Sequence, residues 1–279
     1  MYFLYPFFAV LSESVAKTVD KANYNKTRIK PRELLFLLFS TMVVGTIISL
    51  PFVHQAFPSF SWKVITLLLL VIGVSFGQNL FDYEGLSAKN LSLREPINNM
   101  EPILASFLAY ILFPSERNSK YIVAIFVGVI ILYIGKANKN RKLTLDKGVI
   151  YLFLAVIASA LLANLYKFGL ENISALYLFL FRAVGVLLLV QLFFRVNFKD
   201  FTRSQLKLGV GSGLIYIIGN LTRLYSIQYL GLNLTILLLL LGPGVVYMAS
   251  SLVLKETVQH RQVVTSLALL AVVIWATYL

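Results

Sequence analysis

The 279-residue sequence has no cysteine, which excludes disulfides and thiolate metal sites. It has two histidines, His54 and His260, and both fall between the apolar segments. A Ser–His hydrolase working at membrane depth would need a histidine there. No histidine cluster offers a transition-metal site, so neither metal nor cofactor is expected. A Walker-type phosphate loop is missing, so the chain does not drive itself with ATP. Charge is scarce as well: 13% of the residues are charged, with 12 acidic against 25 basic. A soluble domain carries about 25% charged and roughly 45–50% apolar residues. No aspartate-rich metal motif supports a membrane transferase, although carboxylates for such an enzyme are present.

What is abundant is apolar: 58% of residues are hydrophobic and the mean hydropathy is +0.80. A chain this poor in polar groups cannot cover its apolar mass with a wet surface, so lipid is the expected solvent. A spanning helix needs roughly 20 mostly apolar residues to cross about 30 Å of hydrocarbon. Ten segments qualify, at 3–21, 33–53, 63–81, 92–113, 119–136, 148–168, 174–195, 206–229, 233–254 and 262–279. They are continuously apolar rather than alternating, which favours helices over a β-barrel. The breaks between them are short, so neighbours should run antiparallel. The net charge of +13 sits mostly in these breaks, where a membrane protein keeps its basic residues; nucleic acid is not an expected partner. The first apolar stretch lacks a basic leader and a small-residue cleavage site. The expectation is an all-α, multi-pass protein of the cell membrane.

The chain also repeats itself. Asn79 falls on Asn220 and Pro102 on Pro243 at a shift of 141, and Glu116 falls on Glu256 at 140. Lys21 falls on Lys167 at 146. Each copy would hold five helices, in residues 1–140 and 145–279. An odd number inserts the two copies in opposite directions, as inverted repeats of secondary transporters are.

An ionisable side chain at mid-bilayer costs about 2.5–3.5 kcal/mol, so the ones found there should face a cavity or a partner. Arg94, Asn98 and Glu101 share one face of the fourth segment at helical spacing. Gly209, Gly213, Tyr216, Asn220 and Arg223 form a small-then-polar stripe on the eighth, and Ser75, Asn79 and Asp82 do the same on the third. Arg94, Asn98, Glu101, Asn220 and Arg223 are therefore the expected solute contacts, with Asn79, Arg182 and Tyr216 behind them. The other reading of Asn79 and Asn220 is hydrogen-bonding glue between helices. Arginines suit a carboxylate or phosphate held by a fork. Glu13 and Glu101 can pair with them, bind an amine or carry a coupling proton. Pro102 and Pro243 stand at matching places and are expected as hinges. Glu116 and Glu256 are expected to fix the turns before the fifth and tenth segments.

The run Glu101-Pro102-Ile103-Leu104-Ala105-Ser106-Phe107-Leu108-Ala109-Tyr110, then Glu116-Arg117, then Gly128 and Gly135, resembles the EamA-like branch of the drug/metabolite transporter superfamily. The second copy is weaker: Gly242-Pro243-Gly244 and Lys255-Glu256, with Ala268 and Trp275 where glycines stood. Lys21 and Lys167 resemble a lysine ending each half's first helix, and Arg182 an arginine early in each half's second helix. The first half has Ser40 near that place. The resemblance implies ten transmembrane helices in two inverted repeats around a central cavity, and a carrier of small metabolites.

Of the 25 basic residues, 18 lie in the odd-numbered breaks and 4 in the even ones. Positive charge stays inside, which puts both termini outside; the resemblance implies both inside. The function expected is therefore a non-enzymatic secondary transporter of small organic metabolites, with mixed charges favouring amino acids or related zwitterions. The expected partners are a small solute, the lipid bilayer, a coupling proton and a second copy in a homodimer. The alternatives are an oligomeric channel or scaffold, and the carboxylate-based transferase.

Overall fold

Each of the ten apolar segments carries an α-helix. A computed structural model describes residues 2, 4–27, 29–52, 55, 57–85, 97–136, 147–242 and 260–278, without the side chains of 17, 18, 21–26, 135, 136, 200, 260–262 and 278. The helices are α1 (Leu4–Thr27), α2 (Pro31–Ser49), α3 (Trp62–Gly85), α4 (Glu101–Leu112), α5 (Ser119–Lys136), α6 (Lys147–Leu170), α7 (Ala175–Phe194), α8 (Arg203–Leu230), α9 (Leu232–Leu239) and α10 (His260–Tyr278). No described residue is in a strand. His260 therefore opens a helix rather than lying in a loop.

Four stretches are long and apolar enough to cross a membrane by length and composition: Pro31–Phe52, Trp62–Gly85, Lys147–Leu170 and Ala175–Phe194. Leu4–Ala16, Glu101–Leu112, Ser119–Ile134 and Val263–Thr277 are apolar but shorter. Ten helices thus stand where ten were expected, and four of them meet the criterion for a span among the described residues. The outward faces are apolar: Ile47, Ile48, Leu69, Phe107, Leu188, Leu192 and Leu267 are all exposed. A soluble monomer rarely shows so continuous an apolar surface; acyl chains would cover it without cost.

Local signals explain several ends. Thr202 caps α8 by accepting from the Gln205 N–H at 3.3 Å, while the Gln205 side chain accepts from the Thr202 N–H at 2.9 Å. This reciprocal pair satisfies two donors that the first turn would leave open. Pro31 begins α2, where its missing N–H is not needed. Pro102 is the second residue of α4. The chain turns at Asn99–Met100 before it, so the proline starts a helix rather than kinking one. Asn98 and Glu101 consequently do not share an uninterrupted helical face.

Packing pairs the helices in a regular way. The most extensive contacts are α1 on α8 and α3 on α6. α2 lies on both α7 and α8, and α3 also lies on α7. α4 packs on α6, and α1 on α9; α5 meets α10, and α4 meets α9. Small residues permit the closest of these approaches. A Cβ on Gly213 would stand 2.6 Å from Thr41 Cβ, and one on Gly209 would stand 2.9 Å from Leu37 Cδ1, both on α2. The stripe Gly209–Gly213 therefore brings α8 against α2, as small residues do between membrane helices.

Candidate functional site

Charged residues of α1, α4 and α8 meet one another. Arg223 of α8 reaches toward Glu13 of α1, with Nη1 3.5 Å from Oε1. Its Nη2 donates to Glu101 Oε1 of α4 at 3.3 Å. One guanidinium is thus shared by carboxylates of two other helices. The side chains keep part of their surface accessible: 25% for Arg223, 19% for Glu13 and 26% for Glu101. They are neither fully exposed nor fully buried. Gly219 of α8 makes the approach of α1 feasible, because its missing Cβ would lie 3.2 Å from both Glu13 Cγ and Ser12 Cβ.

A second arginine lies deeper. Arg182 of α7 is 5% exposed. Its Nε donates to Ser75 Oγ of α3 at 2.8 Å and its Nη1 to Asn220 Oδ1 of α8 at 2.9 Å. The guanidinium also lies over the rings of Phe39 and Tyr166, at 5.7 and 5.6 Å from their centroids. A buried charge is tolerable when its donors are satisfied, and cation–π contact adds to that. Asn220 in turn donates to the Tyr216 carbonyl at 2.9 Å. Asn79 donates to the Ser75 carbonyl at 2.7 Å, to Ser75 Oγ at 3.4 Å and to Gln78 Oε1 at 2.9 Å. Asn220 and Asn79, which are 141 residues apart, therefore meet at Arg182, Asn220 directly and Asn79 through Ser75.

A third polar group involves Asp20 of α1, which is 7% exposed. Its Oδ2 accepts from Tyr216 at 2.8 Å and from Tyr83 at 3.2 Å. Ser212 donates to its Oδ1. Sequence reasoning missed this residue because it sits near the expected end of the first segment, where a charge suggests a headgroup contact. The signal was available: Asp20 is seven residues after Glu13, so both fall on the α1 face turned to α8.

Other polar residues tie helices together. Asn164 of α6 donates to the Ala105 carbonyl of α4 at 3.1 Å and to the Ala160 carbonyl at 2.8 Å. Glu116 does more than hold its own turn. It accepts from the Leu232 and Asn233 N–H groups at 2.7 and 2.9 Å, and Lys167 Nζ is 3.1 Å away. A carboxylate suits the first turn of a helix, where N–H groups are unpaired. Gly231, at φ 84° and ψ 168°, enters α9 in a region nearly confined to glycine. A Cβ there would lie 2.7 Å from Glu116 Oε1.

Of the residues expected at the site, Glu101 and Arg223 are joined with Glu13, and Arg182, Asn220, Asn79 and Tyr216 are linked around them. Asn98 is half-buried just before α4. Arg94, Pro243 and Glu256 lie outside the described residues, as does the side chain of Lys21.

A family model described as sugar transport protein matches residues 26–279, a family of the drug/metabolite transporter type. It is this family that the match shows, and not the EamA-like branch in particular. No curated protein matches the chain. Among solved structures, 29 chains match. One, described as "Crystal structure of protein", is 14% identical, with a TM-score of 0.77 over 99% of this chain and 96% of that one. At that identity the likeness shows the fold alone.

Proposed function

This chain belongs to the sugar transport protein family, and from that premise we propose that it is a multi-pass transporter of the cell membrane, not an enzyme, that carries a sugar or similar small polyhydroxylated solute by alternating access. The observation that carries the reading is Arg223 shared by Glu13 and Glu101, each with accessible surface left. A charged group facing acyl chains would be costly; one facing a wet hollow is not. The family description points to sugars, and the site chemistry agrees. Hydroxyls both donate and accept, so a sugar can occupy the free lone pairs of the two carboxylates without displacing Arg223. A zwitterion such as an amino acid would have to break one of those pairs to place its own charges. The zwitterion remains the second reading, favoured by the mixed charges.

In this proposal Arg223, Glu101, Asn98 and Arg94 contact the solute, and Asn220, Arg182, Asn79 and Tyr216 hold the site's shape. Glu13 and Glu101 are the carboxylates at which a coupling proton was expected, since protonating either would loosen Arg223. Residues 1–140 and 145–279 are the two inverted repeats. Supporting this, the most extensive helix contacts keep their pattern when every helix is exchanged with the one five places on. α1 on α8 becomes α6 on α3, α2 on α8 becomes α7 on α3, and α2 on α7, α5 on α10 and α4 on α9 return to themselves. Rocking of the halves would turn on the chain near Pro102 and Pro243.

The test is uptake of labelled sugars into proteoliposomes, with amino acids as competitors. Glu101→Ala and Asn220→Ala should abolish uptake while the protein still inserts. Uptake unchanged in both variants would sink the site, and inhibition by amino acids but not sugars would favour the zwitterion.

A further inference from the structure

Asp20 is the most deeply buried carboxylate of the α1–α8 seam, and its described partners are hydroxyls. Ser212 and Tyr216 come from α8, and Tyr83 comes from α3. Glu13 and Glu101 differ, for both are held by a guanidinium. A proton placed on either of those leaves Arg223 still paired with the other. A proton placed on Asp20 removes the charge that all three hydroxyls address.

We propose that Asp20 is a proton-binding site, and that its protonation and release couple a proton gradient to the solute site; this rests on the transporter reading above. In the charged form, Oδ1 accepts from Ser212 and Oδ2 accepts from Tyr83 and Tyr216. When a proton bonds to Oδ2, that oxygen becomes a donor. At least one phenol must then surrender its acceptor, and a buried hydroxyl without a partner costs about 1–3 kcal/mol. The tethers of α1 to α8 and of α1 to α3 are weakened together.

The change has a route to the solute. Tyr216, Asn220 and Arg223 lie four and three residues apart on one face of α8. The first touches Asp20, the second Arg182 and the third Glu13 and Glu101. Glu13 and Asp20 are two turns apart on α1, facing the same helix. Any shift of α8 along α1 that follows protonation must alter the hold on Arg223. Among the described residues, Asp82, beside Tyr83 on α3, is a further charged group close enough to act on Asp20. α9, which also packs on α1, brings no ionisable residue within its described range Leu232–Leu239. On α1 itself, the side chains of Lys17 and Lys21 lie outside the described ones. The hydroxyl-rich lining is that of a proton site. A hard cation would need more oxygen ligands than the carboxylate and its three described hydroxyl partners.

The experiment uses the full chain, wild type and Asp20→Asn, in proteoliposomes loaded with the sugar that the uptake screen identifies. An inside-alkaline pH gradient should drive accumulation by the wild type. In Asp20→Asn that accumulation should be lost, while exchange of labelled for unlabelled sugar persists. Accumulation by Asp20→Asn equal to wild type overturns the proposal, as does accumulation driven by sodium with the pH gradient absent. A second measurement needs no transport. Infrared difference titration of the purified protein should show a protonated carboxyl band that Asp20→Asn lacks and Glu13→Gln retains. The same bands in Asp20→Asn and wild type overturn the proposal even if the variant fails to transport. A wild type that moves no sugar defeats the transporter reading instead, and leaves the infrared result standing by itself.

Discussion

Lys167 Nζ lies 3.1 Å from Glu116 Oε1, and this pair fastens the end of α6 to the turn between α4 and α5. The same carboxylate holds the first N–H groups of α9. Three segments far apart in sequence are therefore fixed by one buried side chain. Because α6 and α9 lie in the second proposed repeat and the turn lies in the first, the pair also spans the two.

Glu116→Ala should lower stability more than any loss of transport contacts would. It leaves the half-buried Lys167 without its partner and removes the cap of α9. Breaking a buried pair from one side costs about 3–5 kcal/mol. Glu116→Gln keeps an acceptor and should cost less. Thermal unfolding in detergent, followed by the loss of monodisperse protein, measures both. An Ala variant as stable as wild type would show that the carboxylate holds nothing.

Arg223→Lys tests the sharing of one guanidinium by Glu13 and Glu101. A fork with five donors can serve two carboxylates, whereas an ammonium is a compact point charge. Charge is conserved and bridging is lost, so KM should rise with expression and insertion unchanged. Initial uptake rates over a range of solute concentrations give the answer. An unaltered KM would mean that charge alone is sufficient.

Gly219→Leu should weaken solute binding although no polar residue is replaced. The first carbon alone would come 3.2 Å from Glu13 Cγ, and the rest of the side chain needs space that α1 occupies. Glu13 is pushed away from Arg223, so affinity falls while Gly219→Ala stays closer to wild type. A graded series of binding isotherms from Gly to Ala to Leu is the expected result, and identical isotherms would contradict the close approach.

The placement of basic residues predicts an exposed C-terminus. A tag after Leu279 should react with a membrane-impermeant reagent in intact cells. Protection of that tag would reverse the orientation taken from 18 of 25 basic residues.

The ten helices were legible because each is written locally: about 20 apolar residues, closed by polar breaks. The stripe on α8 was legible too, since helical spacing places Gly213, Tyr216, Asn220 and Arg223 without reference to any neighbour. Glu101 and Arg223 could be named from cost alone. Their pairing could not, because Glu13 reaches Arg223 only when α1 packs on α8. Asp20 shows the same limit, since its three hydroxyl partners come from two helices at least 63 positions away.

Glu116 marks the boundary most plainly. Sequence alone dictated that a charge so close to an apolar segment needed a reason, and the reason supplied was its own turn. Tertiary structure supplied a different one, in the N–H groups of Leu232 and Asn233 and the ammonium of Lys167. Hydropathy is a property of single residues and adds along a chain, so it can be read in order. A hydrogen bond or ion pair across helices depends on which faces meet, and only the packed bundle decides that.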